Sequence, residues 1–166
     1  MFDINETQTK APRHPKRNTA RRRRSDAGKS RLAPTLLDAL RAEVLGLERP
    51  SIVAIGRRMA ALAAERNLRH PCRASLYNAL ATLPGHSYSA QSLPVHVRSA
   101  LYNLSPDVTV PGHQLAFYCF NYGSLAAASY AAGLPWLDLY QARRLRGWRP
   151  RSRGLLNAAM RCRGMR

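Results

Sequence analysis

Leu36, Leu37, Leu40, Val44 and Leu47 recur three or four positions apart in PTLLDALRAEVLGLERP, which is the spacing of one face of an α-helix. Pro34 suits the opening of that helix and Arg49-Pro50 its close. A second stripe, Ile52, Ile55, Met59, Leu62 and Ala63, follows Ser51, a good N-cap, and leaves Arg57, Arg58, Glu65 and Arg66 mostly outside it. After a break that ends at Pro71, CRASLYNALATL turns Leu76, Leu80 and Leu83 inward and points Arg73, Ser75 and Asn78 elsewhere.

PGHSYS is rich in turn formers and reads as a hairpin or an extended excursion. PVHVRSALYNL, with Val97, Leu101 and Leu104 in phase, predicts a further helix from Pro94. In VTVPGHQLAFYCFNYG the Pro111-Gly112 pair could turn a hairpin, but HQLAFYCFN favours a buried helix. SLAAASYAAG is a compact helix capped by Ser124 and stopped by Gly133; LPWLDLYQARRLRG and RSRGLLNAAMRCRG supply two more. The expected fold class is therefore mainly α. Residues 32–90 form a candidate DNA-binding unit, residues 91–166 form a helical C-terminal region with a basic tail, and no fixed-length repeat is visible.

Charge changes this picture from a helical body to a polyanion binder. Of 27 Lys and Arg against 9 acidic residues, residues 1–31 carry 10 basic and 3 acidic, and residues 141–166 carry 9 basic and none acidic. The intervening body is nearly neutral. Residues 1–31, which include Arg21, Arg22, Arg23 and Arg24, have hardly an apolar side chain after Phe2 and read as a disordered basic arm. Nucleic acid is the natural partner of two such ends, with acidic lipid as the competing class. The N-terminus has no apolar centre of the secretory kind and no apolar run is long enough for a bilayer, so a cytoplasmic protein is expected. Cys72, Cys119 and Cys162 are odd in number and widely spaced, which predicts reduced thiols. His70 and Cys72 lack a second matching pair, so neither zinc nor a cofactor is expected.

The helix at 51–66, the break at 67–71 and the helix at 72–83, with 84–90 as a possible wing, have the order of a helix-turn-helix, whose second helix lies in the major groove. Arg73 can grip guanine and Asn78 can pair with adenine, each bidentate contact being worth about 1–3 kcal/mol of discrimination. Ser75 and Tyr77 complete the candidate base-reading set. Arg57, Arg58, Arg143, Arg144, Arg146, Arg149, Arg151 and Arg153 are the candidate phosphate contacts. A second corner, with Ser129 and Gly133 before Leu134, Leu139 and Ala142, predicts that 134–147 is first a packing helix. It leaves Trp136, Leu137, Tyr140 and Gln141, beside Arg144, as a free face for a protein partner.

On these residues, PSIVAIGRRMAALAAERNLRHPCRASLYNALATL resembles the winged helix-turn-helix units of bacterial regulators and of transposase or integrase amino-terminal domains. The order of a winged unit followed by HVRSALYNLSPDVTVPGHQLAFYCFNYGSLAAASYAAGLPWLDLYQARRLRGWRPRSRG faintly resembles the antitoxins of abortive-infection type IV toxin–antitoxin systems. That resemblance implies an amino-terminal domain that represses its own operon and a carboxy-terminal domain that counters a nucleotidyltransferase toxin. Winged-helix regulators commonly bind two half-sites, so a homodimer is compatible with the first resemblance.

Catalysis is not expected. After Glu65 the acidic residues are Asp107 and Asp138 alone, which leaves no pair of carboxylates for a metal-dependent nuclease. His70, His86, His96 and His113 have the chemistry for metal-free RNA cleavage but read as solvated loop histidines. The expected function is a sequence-specific DNA-binding regulator. The alternatives are an antitoxin or other interaction module, and an RNA-binding accessory protein, against which stands the apparent lack of exposed aromatic platforms.

Overall fold

The computed structural model describes residues 32–46 and 50–162. Among them the chain is mainly helical: α1 (Pro34–Val44), α2 (Ile52–Glu65), α3 (Arg73–Thr82), α4 (Val95–Arg98), α5 (Gly112–Tyr122), α6 (Leu125–Ala132), α7 (Trp136–Ala142) and α8 (Pro150–Cys162), with strands β1 (Ser87–Ser89) and β2 (Thr109–Pro111). The arm at 1–31, Arg21 to Arg24 included, and Leu47 lie outside the described residues.

Local chemistry sets the ends of α2 and the start of α3 where the sequence predicted them, whereas α1 stops at Val44, short of Arg49-Pro50, and the helix expected over 134–147 is confined to Trp136–Ala142. Ser51 Oγ accepts from the Ala54 N–H at 3.3 Å and opens α2. The helix closes through Asn67, whose φ of 53° is left-handed. The Leu68 N–H donates to Ala63 O at 2.8 Å and the Asn67 N–H to Ala64 O at 3.2 Å, the two bonds of a Schellman motif. Asparagine tolerates this conformation better than other residues with a Cβ, which explains why the break falls at this point. At α3 the cap is Cys72, whose Sγ accepts from the Ser75 N–H at 3.4 Å.

Two segments differ from expectation. The single helix predicted from Pro94 is α4 followed by a 3-10 turn at Ser99–Leu101. Its buried Val97, Ala100 and Leu101 are spaced by three and one, which both geometries satisfy, and the switch turns the chain back toward β2. Pro111-Gly112 is not a hairpin turn: Pro111 ends β2 and caps α5, so the favoured helix is present with a short strand before it. The excursion at 84–90 is not a self-contained wing. β1 pairs antiparallel with β2, Ser87 opposite Pro111 and Ser89 opposite Thr109, and all of 90–108 lies between the two strands.

This pairing crosses the boundary expected at residue 90, and so does the core. One apolar cluster runs from Leu36 and Leu40 in α1 through Ile55, Leu80 and Leu115 to Leu137, Leu139 and Leu156. α7 packs against both α3 and α5. From α7, Gln141 is buried and its amide donates to Leu80 O at 3.0 Å and Leu83 O at 2.7 Å. It thereby satisfies carbonyls that the end of α3 leaves without helical partners.

Replacing Gln141 by Met keeps the volume and removes both bonds. The folded state is expected to lose about 2 kcal/mol or more, since each buried carbonyl left unpaired costs about 1–3 kcal/mol. Urea unfolding of the two proteins measures the difference, and an unchanged midpoint would mean that the cap contributes nothing.

Candidate nucleic-acid interface

α3 presents Leu76, Ala79 and Leu80 to the core and leaves Arg73, Ala74, Asn78 and Thr82 exposed, with Tyr77 half-buried at their edge. Three of the four predicted base-reading side chains therefore stand on the solvent side of α3, with Arg73 and Asn78 about 140° apart around its axis. The Arg73 guanidinium lies over the Tyr77 ring, 5.6 Å from its centroid, which restrains a long side chain before any ligand arrives. Ser75 is separate from them: its hydroxyl meets Cys72 Sγ at 3.1 Å, so it serves the cap of the helix.

The predicted phosphate contacts divide in two. Arg57, Arg143, Arg146, Arg151 and Arg153 are exposed. Arg58 is exposed but pairs with Glu43 of α1 at 2.5 Å, and Arg144 reaches the Tyr140 hydroxyl at 3.4 Å. Arg149 is exposed as well and is also tied into the fold. Its backbone N–H donates to Asn121 Oδ1 at 3.2 Å, its guanidinium donates to Asn121 O at 3.1 Å, and the same group lies 4.9 Å from the centre of the Tyr122 ring. It anchors the start of α8 to the end of α5. Arg151 and Arg153 stand in the first turn of α8, which holds no acidic residue and where the helix dipole is already positive.

The face assigned to a protein partner is not free. Trp136 and Gln141 are only 4% and 7% exposed, and Leu137 is wholly buried, because α7 is a short helix enclosed between α3 and α5. Only Tyr140 keeps partial exposure, stacked on Trp136 with centroids 5.0 Å apart. The expectation of a packing helix holds for α7, although Ser129 is exposed and the neighbouring α6 packs through Ala127 and Ala131. The expected lack of exposed aromatics is also corrected. Tyr102 is 72% and Tyr122 41% exposed, and their rings meet edge to face at 6.1 Å beside Phe117 and Arg149.

The sequence reading missed a constellation in which two Pro-Gly-His tripeptides meet, Pro84-Gly85-His86 before β1 and Pro111-Gly112-His113 at the end of β2. The Gly112 N–H donates to His86 O at 2.8 Å. Asp138, wholly buried in α7, lies against both glycines: a Cβ at either Gly85 or Gly112 would collide with its carboxyl group. Asp138 Oδ1 accepts from the His86 N–H at 3.2 Å, and Oδ2 stands 3.3 Å from His86 Nδ1 without hydrogen-bond geometry. Burial raises the carboxyl pKa above the usual range, while the His86 N–H, the His86 imidazole and His113 oppose that shift. His113, half-buried, is lowered by its own burial, and Tyr88 is pushed up to about 12 by burial and then by the Asp138 charge. A carboxylate between Leu137 and Leu139 and a tripeptide that occurs twice were the available signals.

His70 and Cys72 are both exposed, and no group of three or more metal-ligating side chains gathers among the described residues. No helix among them is long and apolar enough to cross a membrane. No family model, curated protein or solved structure matches this chain.

Two outcomes are expected. Arg149→Ala should lower folding stability by about 1–2 kcal/mol through the lost cation–π and carbonyl contacts, whereas Arg151→Ala should stay within about 0.5 kcal/mol, as read by thermal unfolding. Cys72 is lowered from the ordinary thiol value by the Ser75 hydroxyl and N–H, while burial pushes Cys119 up to about 12. Alkylation followed by mass spectrometry should modify Cys72 at a pH where Cys119 stays intact, and Ser75→Ala should move the Cys72 profile to higher pH.

Proposed function

We propose that this protein is a duplex-DNA-binding regulator in which α2 supports α3, α3 reads a site from the major groove, and arginines outside α3 hold phosphates. The observation that carries the reading is the outer face of α3, where Arg73 and Asn78 stand exposed with Tyr77 between them, on a helix anchored from behind by Leu76 and Leu80. Arg and Asn are the side chains whose geometry matches guanine and adenine edges. β1 follows α3 in the chain, in the order that a wing would take. Arg151 and Arg153 support the phosphate role: cations at the positive end of α8 cost stability, and a bound anion would offset that cost. A cytoplasmic location belongs to the same reading.

One observation favours a second reading, RNA or single-stranded nucleic acid. The exposed Tyr102 and Tyr122 offer ring faces and edges beside Arg149, and bases stack on such groups without regard to sequence. An antitoxin role rests on the order of elements alone, since the face suggested for a toxin lies in the core.

Selection from random duplexes at about 150 mM salt, where unspecific attraction is damped, tests the first reading. An enriched motif is expected. Arg73→Ala or Asn78→Ala should reduce the preference for it about 10-fold, corresponding to roughly 1–3 kcal/mol. Arg151→Ala and Arg153→Ala should weaken all sequences alike and reduce the salt slope by about one each. A preference ratio unchanged by Arg73→Ala would remove α3 from the reading role.

A further inference from the structure

A cavity of about 380 Å³ opens beside the two Pro-Gly-His turns, between the end of α3, β1, the start of α5 and the end of α7. Its polar lining includes Thr82, Ser87, His86, His113 and Arg144, and its lining among the described residues includes no acidic side chain. The one carboxylate nearby, Asp138, is hidden behind His86 with no exposed surface. Its Oδ2 has no hydrogen-bond partner, and neither has the equally covered His86 Nδ1 that faces it.

The Asp138 carboxyl faces His86 Nδ1, which leaves Nε2 as the ring nitrogen available to a ligand. Arg144 is the standing cation of the lining, and His113, whose charge its burial disfavours, offers a ring N–H. Hydrogen bonds from charged donors to phosphate oxygens are shorter and stronger than neutral ones, and guanidinium adds a planar fork. Pro84, Pro111 and Leu145 supply apolar wall. A cavity of this size admits one phosphorylated sugar. A terminal phosphomonoester, with a charge of about −1.5 to −2 at neutral pH and three free oxygens, uses a guanidinium and two ring donors better than an internal diester does.

We propose that this cavity binds a phosphoryl group, the terminal phosphomonoester of a nucleic-acid strand, through His86, His113 and Arg144. The source of the phosphate rests on the nucleic-acid reading above; the site itself rests on the cavity and the buried Asp138–His86 contact.

The test compares the full chain binding two otherwise identical short duplexes, 5′-phosphorylated and 5′-hydroxyl, and a free 5′-mononucleotide followed through the histidine ring resonances. The phosphorylated duplex is expected to bind about 10-fold more tightly than the hydroxyl form. His113→Gln, and separately His86→Gln, should bring that ratio close to one. Because His86→Gln also disturbs Asp138, His113→Gln and the resonance shifts of the unaltered protein keep the test independent of folding. Shifts of His86 and His113 with the mononucleotide alone would support the phosphoryl site and assign its source to a free metabolite. In that case, failure of the hydroxyl duplex to bind would count against the nucleic-acid reading only. Equal affinity for the two duplexes, with neither histidine moved by the mononucleotide, would overturn the inference and leave the nucleic-acid reading intact.

Discussion

The need to satisfy polar backbone where the chain leaves α3 governs much of this structure. Residues 80–86 carry carbonyls and an N–H that helix geometry does not serve, and α7 covers them. Two side chains one turn apart on α7 meet the demand: Gln141 donates to Leu80 O and Leu83 O, and Asp138 accepts from the His86 N–H. Of the remaining α7 positions, Trp136, Leu137, Leu139 and Ala142 are apolar and buried and Tyr140 is half-buried, so the polar pair is held in a dry setting where its bonds matter most. Gly85 and Gly112 follow from the same constraint, because only a residue without a Cβ lets the backbone approach the Asp138 carboxyl so closely.

This arrangement explains why the sequence was readable in its periods and unreadable at its joints. Leu36 and Leu40, Ile55 and Met59, and Leu76 and Leu80 are all buried as their spacing predicts, and Ser51 caps as its chemistry predicts. These are local signals. Trp136 and Leu137 misled because on a seven-residue helix almost every side chain is enclosed, so no periodicity separates an inner face from an outer one. Helix phase points Ser75 outward and cannot anticipate a thiol cap at Cys72. Arg149 looked like one more member of a basic run, yet its partner Asn121 lies 28 residues earlier. The Asp138–His86 contact spans 52 residues, and nothing in the spacing of either residue foretells it.

The arginines illustrate how one residue type divides between structure and recognition. Arg149 is held by a ring, a side-chain amide and a carbonyl, and Arg58 by Glu43. Arg143, Arg146, Arg151 and Arg153 are exposed and crowd one region of sequence, and Arg151 and Arg153 oppose the dipole at the start of α8. Such crowding weakens the free protein slightly and gives any polyanion an electrostatic advantage that falls with salt.

The long reach of the α7 contacts also has a kinetic side. Gln141 finds its partners 58 and 61 residues away, and β1 meets β2 only after all of 90–108 has been traversed. Loop closure on that scale has to precede any gain from the contacts, whereas the α1–α2 pair joins neighbours in sequence. The closure of the α3 end on α7 is therefore expected to follow the packing of α7 on α5, which lies nearer to it in sequence. Loss of the polar contacts at that seam would then act chiefly by hastening unfolding, and the cavity between the two Pro-Gly-His turns would be among the last features to form and the first to open.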